Sequence, residues 1–228
     1  MLVKLLPLIL LYSGLYAGPP MLTNDPFVPD VNQFEINTIA VSEHRDTTIF
    51  TAPVFDLNYG VVKDVQVTLA TGYISSDVQS GFDAFEVSTK WKFYSNETFA
   101  IALSPIYISY PLETVLNEGE VFKVSAPMSL TLTETLLWIL SLDYIMPFED
   151  DNHLEVGTYL QYTLEQHNFY AEVFSEESKT HDALFTLLNF GYLYQLDNNW
   201  AVMFSAGREI KAEEEEATIG FVGIQLVY

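Results

Sequence analysis

Apolar and polar residues alternate one by one along most of this chain. In residues 82–94, one face carries Phe85, Val87, Thr89, Trp91 and Phe93. The other face carries Ala84, Glu86, Ser88, Lys90 and Lys92. Consecutive side chains of a β-strand point to opposite faces, whereas a helix would scatter both sets around its axis. The alternation therefore predicts an all-β protein whose strands separate an apolar environment from a polar one.

The alternation divides into about twelve predicted strands separated by turn signals. Their predicted ranges are 34–43, 48–60, 65–75, 82–94, 98–110, 121–133, 136–147, 154–165, 168–177, 183–196, 199–208 and 217–228. Tight connections such as 166–167 alternate along the chain with longer, acidic ones such as 111–120 and 209–216. Outer-membrane barrels have short turns at one end and long loops at the other. We therefore expect a transmembrane antiparallel up-and-down β-barrel of about 12 strands over residues 34–228.

The first residues have the composition of an export signal. Lys4 precedes an apolar run over residues 5–15, and Ala17 is a small residue after which a peptidase can cut. We expect a cleaved signal peptide over 1–17, because the run is shorter than the roughly 20 residues that span a bilayer. Residues 18–33 are rich in proline and predict an extended arm ahead of the barrel. The sequence leaves open whether this arm lies in the periplasm or plugs the lumen.

The girdle of aromatic residues distinguishes a membrane barrel from a soluble β-sandwich, which gives a similar alternation. Rings near strand ends suit the membrane interface; here they are Tyr59, Trp91, Phe93, Phe99, Trp138, Tyr162, Phe169, Tyr194 and Trp200. The last strand ends on the aromatic Tyr228, the kind of terminus that barrel-assembly machinery reads. We expect localisation in the outer membrane of a Gram-negative cell. The expected partners are outer-membrane lipid, lipopolysaccharide and the barrel-assembly machinery.

Composition excludes several classes of function. The chain has 31 acidic and 9 basic residues, a net charge of -22, which would repel the phosphates of nucleic acid. It contains no cysteine, so it has no disulfides and no thiolate metal sites. It also lacks phosphate-binding and calcium-loop motifs, and we expect no cofactor and no metal. The histidines are all assigned to loops or a turn, where they would be solvated: His44, His153, His167 and His181.

The polar face predicts a charged lumen. Strand alternation directs Glu35, Asp56 and Glu165 inward, together with the lumen or binding candidates Glu86, Lys90, Lys92, Lys123, Asp143, Glu155, Gln161 and Glu172. The long connections predict an acidic outer rim of Glu118, Glu120, Glu149, Asp150, Asp151, Glu213, Glu214, Glu215 and Glu216, with Glu176 and Glu177 beside it. Barrels of about eight strands are filled by side chains, and those of sixteen or more leave an open channel. Twelve strands therefore predict a narrow passage.

Short segments in several parts of the chain form a familiar set: Gly18-Pro19-Pro20-Met21-Leu22-Thr23-Asn24-Asp25-Pro26, Phe34-Glu35-Ile36-Asn37, Asp56-Leu57-Asn58-Tyr59-Gly60, Leu188-Asn189-Phe190-Gly191-Tyr192-Leu193-Tyr194-Gln195-Leu196 and Ala206-Gly207-Arg208. In these segments the chain resembles a family of transporter-like outer-membrane proteins named for the meta-pathway of phenol degradation. The resemblance covers nearly the whole predicted mature chain in short pieces. It implies the barrel and a transport role, and it implies no catalytic residue.

Three functions remain in order of preference. The first is a narrow passive channel or transporter for small solutes, aromatic or otherwise hydrophobic ones included. The second is a non-conducting structural or surface-interaction barrel. The third is a membrane-embedded hydrolase, for which Ser42 with His44 or Asp182 with His181 would have to meet. Small inward residues such as Gly157 leave room in the lumen, while Tyr159 and Tyr170 consume it. We expect no enzyme.

Overall fold

The computed structural model describes residues 20–45, 47–75, 80–110, 119–148, 151–177, 184–210 and 216–228. Its twelve strands are β1 Phe34–His44, β2 Thr48–Val62, β3 Val65–Ser75, β4 Ser80–Ser95, β5 Phe99–Ser109, β6 Glu120–Thr133, β7 Leu136–Pro147, β8 His153–Leu164, β9 His167–Glu177, β10 Leu184–Gln195, β11 Trp200–Glu209 and β12 Thr218–Val227. Every boundary lies within two residues of its predicted position. Within these ranges, no helix is long and apolar enough to cross a membrane.

The strands form one closed antiparallel barrel in which each strand pairs with its neighbours in the chain. β1 closes the barrel against β12, from the pair Glu35 and Val227 to the pair His44 and Thr218. At the end of this seam, Phe34 N donates to Tyr228 O at 2.7 Å and Tyr228 N donates to Phe34 O at 2.8 Å. Closure leaves no sheet edge, as a sheet in lipid requires. The predicted barrel class is confirmed.

The barrel wall exposes apolar side chains on its outer face and buries charged ones on its inner face, the reverse of a soluble protein. Large apolar side chains are exposed on the outside, among them Phe85, Val87, Trp91, Phe93, Trp138, Leu154, Leu160, Tyr162, Phe169 and Trp200. Charged side chains such as Glu86, Lys123 and Glu172 are buried on the inside. An apolar band of this extent suits contact with lipid hydrocarbon, because it would not remain exposed to water in a monomeric soluble protein. The β-sandwich alternative is therefore wrong.

The two ends of the barrel differ in their connections. The strands are joined by tight turns at 63–64, 134–135 and 165–166 at one end, called here the turn end. Longer connections such as 110–119 and 210–217 lie at the other, called here the loop end. Inside the loop-end half lie two clusters of buried apolar residues, one with Ile39, Val41, Ile49, Ile74, Phe185, Leu187 and Ile219, the other with Ile106, Ile108, Val121 and Ile145. The loop-end half of the lumen thus combines these apolar clusters with buried charged residues such as Glu43, Glu176 and Glu209.

Candidate functional site

Residues 20–26 of the proline-rich arm lie inside the barrel. Met21, Leu22, Thr23 and Asn24 are buried, Thr23 with only 1% of its surface exposed. Prolines keep this segment extended and without strand pairing, so its backbone groups need other partners. The backbone N–H groups of Leu22 and Thr23 donate to the Glu172 carboxylate at 3.2 and 2.7 Å. Of the two positions left open by the sequence, the lumen is the one that residues 20–26 occupy.

Glycines of the barrel wall make room for the arm. A Cβ atom on Gly157 would collide with the Thr23 side chain, and one on Gly191 would collide with the Met21 methyl group. At the turn end, a Cβ on Gly60 would meet the backbone oxygen of Asp30. The arm thus fills the space that the missing side chains of Gly60, Gly157 and Gly191 leave.

A buried network centred on Lys123 lies on β6, β7 and β8, next to the strand β9 that carries Glu172. Lys123 has 2% of its side chain exposed and bonds Asp143 Oδ2 at 2.8 Å and Glu155 Oε2 at 2.5 Å. Ser125 Oγ donates to Asp143 Oδ1 at 2.6 Å. Asn24 of the arm donates to Asp143 Oδ2 at 3.3 Å, so this network also holds the arm. One ammonium group therefore compensates two carboxylates in a nearly dry environment.

A second polar wall faces the arm from β1 to β5. Asn37 and Asn58 each donate to Asp56 Oδ2 at 3.1 Å. Lys90 bonds Asp25 Oδ1 at 3.5 Å and the backbone oxygen of Phe27 at 3.2 Å. Between this wall and the arm lies a cavity of about 210 Å³, lined among others by Asn24, Asp25, Glu35, Asp56, Glu86, Ser88 and Lys90. This cavity is an open part of the lumen beside the arm.

The comparisons with known proteins concern the fold. No family model matches the sequence, and no curated protein matches it. Among solved structures, an outer-membrane channel from Pseudomonas putida F1 superposes with a TM-score of 0.70 at 13% identity, over 89% of this chain and 97% of that one. The fold is that of an outer-membrane β-barrel. The resemblance to the phenol meta-pathway family stays a prediction.

Two further barrels are similar. The KdgM porin in complex with disordered oligogalacturonate gives a TM-score of 0.65 at 13% identity, over 84% of this chain and 98% of that one. The CymD monoaromatic hydrocarbon channel gives 0.53 at 8% identity, over 87% and 89%. At such identities the similarity concerns the barrel and not its cargo.

All eight lumen candidates point inward. Six of them lie in the contacts or the cavity wall already described, which are Glu86, Lys90, Lys123, Asp143, Glu155 and Glu172. Lys92 bonds Asp64 Oδ1 of the β2–β3 turn at 3.0 Å. Gln161 donates to Asn168 Oδ1 at 3.0 Å, near the turn end. The structure places these residues in several separate contacts and not in one site.

Four side chains lie elsewhere than expected. Glu165 is exposed and does not face the lumen, because it adopts a left-handed conformation, φ 54°, in the β8–β9 turn. Glu176 is buried inside the lumen and is not a rim residue, since it continues the inward face of β9. His153 is the first residue of β8, buried and 3.0 Å from Glu176 Oε1, so the expectation of a solvated loop histidine is wrong there. It is also wrong for His167, the half-buried first residue of β9, whose Nδ1 lies 2.7 Å from the Tyr192 hydroxyl.

The acidic rim is described only in part. Glu120, Asp151 and Glu177 are exposed at the loop end, and Glu216 bonds Arg208 there. The others lie outside the described residues, namely Glu118, Glu149, Asp150, Glu213, Glu214 and Glu215. Of the hydrolase candidates, His44 Nδ1 lies 3.0 Å from Thr48 Oγ1 on the outer face, and the pair at 181 and 182 lies outside the described residues.

Sequence reasoning missed the contact of His153 with Glu176. The signal was present: His153 and Glu155 are two residues apart on a strand and share a face. The two-residue turn at 165–166 sets the hairpin register, in which Glu155 opposes Glu176. Extending the predicted strand by one residue would have brought all three side chains together in the lumen.

Proposed function

We propose that this protein is a narrow passive channel of the outer membrane for small solutes, with a lumen restricted by its own amino-terminal arm. The observation that carries the proposal is the cavity of about 210 Å³ between the arm and the wall of β1 to β5. A barrel that served only as a scaffold would gain stability by filling this space. Instead the space is lined by polar groups and bounded on one side by a segment that is not a strand.

The arm is held by contacts that can be exchanged. It is fixed in the lumen by hydrogen bonds to Glu172 and Asp143 and by the partly exposed pair of Lys90 with Asp25. A hydrogen bond to a charged group contributes about 1.5–3 kcal/mol and a partly exposed ion pair about 0–1 kcal/mol, so no single polar contact fixes the arm. Displacing residues 20–26 toward the turn end would join the cavity to the loop-end half of the lumen. The arm therefore acts as the gate of the proposed channel.

The lumen favours neutral solutes with an apolar part. Acidic side chains outnumber basic ones on the inward face of the described residues, with Glu35, Glu43, Asp56, Glu86, Asp143, Glu155, Glu172, Glu176 and Glu209 against Arg45, Lys90, Lys92 and Lys123. An excess of negative charge in a narrow lumen repels anions. The loop-end half offers the apolar surfaces of Ile108 and Leu187 instead.

One observation favours the alternative of a non-conducting structural barrel. The arm residue Leu22 packs into the buried cluster that contains Ile39 and Leu187. Met21 packs into a further buried cluster with Ile139 and Met203. A plug packed in this way would stabilise the barrel permanently. The two functions differ in whether the arm can leave its position, and this difference can be measured.

A reversible lock on the arm tests the channel. The chain has no cysteine, and a Cβ built on Gly157 would lie 2.8 Å from Thr23 Cβ, so a small shift reaches the roughly 3.5–4.5 Å of a disulfide. In planar bilayers, we expect the oxidised Thr23→Cys/Gly157→Cys variant to conduct rarely and to gain conductance on addition of dithiothreitol. The single variant Gly157→Cys is the control and should not respond to the reductant. Absence of ionic current in both redox states and in the unmodified protein would favour the structural barrel.

A further inference from the structure

Three side chains with metal-binding atoms meet near the loop end of the lumen. His153, Glu155 and Glu176 each offer one ligand atom, and these atoms lie within 4.8 Å of one another. His153 Nε2 is 3.0 Å from Glu176 Oε1. All three side chains are buried, with at most 3% of each residue exposed. The arm does not supply any of the three, so the cluster is separate from the gate described above.

The barrel wall holds the cluster in place. His153 and Glu155 are alternate residues of β8 and therefore point to the same side. Glu176 is the direct partner of Glu155 on β9. Sites on paired strands are more rigid than sites on loops, because the ladder hydrogen bonds fix the backbone. No large movement is needed to bring the three ligand atoms around one ion.

The cluster adjoins the buried Lys123 network. Lys123 bonds both Asp143 and Glu155, and Glu176 lies beside His153 in the same buried region. Buried charged groups in proteins are paired or coordinate metals. A divalent cation is therefore a suitable ligand for two glutamates and an imidazole in this environment.

We propose that His153, Glu155 and Glu176 bind a divalent transition-metal ion, with Zn²⁺ as the best chemical match. Imidazole nitrogen together with carboxylate oxygen suits zinc, whereas magnesium and calcium prefer sites made of oxygen alone. A carboxylate has two oxygens, so Glu155 can accept from Lys123 through Oε2 and also bind the metal. Three protein ligands leave the fourth position of a tetrahedral ion for water or a passing solute. The ion would join β8 to β9 just inside the loop-end mouth.

Metal titration of the complete mature protein tests the site. The protein is folded in detergent, treated with EDTA, dialysed and titrated with zinc chloride in a calorimeter. We expect one tight Zn²⁺ per chain, weakened at least tenfold in His153→Ala and in Glu176→Gln, since removing even an outer partner of a ligand costs about 10–100-fold. The control is His44→Ala, which removes an exposed histidine at the same end of the barrel and should leave the affinity unchanged. Equal affinity in all four proteins, or no stoichiometric binding, would overturn the proposal.

A measurement on the unmodified protein covers the case in which a variant does not fold. Heat-dependent migration on SDS gels reports folding of each variant. X-ray absorption at the zinc edge of the unmodified protein should then show one imidazole nitrogen among otherwise oxygen ligands. Coordination by oxygen alone would place the ion on the acidic loops and would overturn the assignment to His153.

Discussion

Removing the charge of Lys123 should destabilise the barrel far more than removing that of Lys92. Lys123 has 2% of its side chain exposed, and its partners Asp143 and Glu155 have 5% and 1%. Breaking such a buried pair leaves carboxylates without compensation and costs about 3–5 kcal/mol. Lys92 and its partner Asp64 are 19% and 31% exposed, and pairs in contact with water contribute about 0–1 kcal/mol. Replacing each lysine with methionine therefore compares the free energy of a buried ion pair with that of a partly exposed one.

The assay is reversible unfolding in urea, with the protein in phospholipid vesicles and tryptophan fluorescence as the signal. EDTA is present so that bound metal does not add to the free energy of unfolding. Lys123→Met should lose about 3–5 kcal/mol and Lys92→Met at most about 1 kcal/mol. Adding Asp143→Asn and Glu155→Gln to Lys123→Met should restore most of the loss, because the uncompensated charges are then gone. Equal losses at the two lysines, or no recovery in the triple variant, would refute the buried network.

Two further predictions concern the wall and the mouth of the barrel. Val87→Arg places a charge on the lipid face and should cost about 2–4 kcal/mol in the same unfolding assay, whereas Ser88→Arg enters the cavity and should cost much less; equal costs would contradict the assignment of faces. Changing Glu213, Glu214, Glu215 and Glu216 to glutamine should reduce the cation preference of the reversal potential across a salt gradient, most clearly at low salt, where the Debye length is about 10 Å at 0.1 M. An unchanged potential would show that the rim does not control entry.

The sequence predicted the barrel because the evidence for it is local. The period of two in segments such as 82–94 reports the environment of each face residue by residue, and turn signals divide the strands. The inward and outward faces predicted for β4 and β8 therefore agree with the structure. The inward orientation predicted for Glu165 was wrong for a local reason as well. The sequence alternation continues to this residue, but its left-handed turn conformation takes it off the face of the strand.

The position of the arm was beyond the sequence because it depends on distant partners. Prolines specify an extended segment but not what surrounds it. Thr23 meets Glu172, a residue 149 positions away, and the fit depends on the missing side chain of Gly157 on another strand. His153 was missed for a smaller reason, since its strand was predicted to start one residue later. Contacts inside the lumen follow from the closed barrel, which no single segment encodes.

Single-channel recording of two glycine variants tests the central claim most directly, that the arm restricts a passage through the lumen. In Gly157→Val the new side chain would occupy the space of Thr23 and displace the arm. In Gly220→Val it would meet nothing, since no atom lies within 4 Å of a Cβ built there. We expect Gly157→Val to conduct more, or to open more often, than the unmodified protein and Gly220→Val in planar bilayers. Equal or lower conductance in a folded Gly157→Val protein would contradict the account.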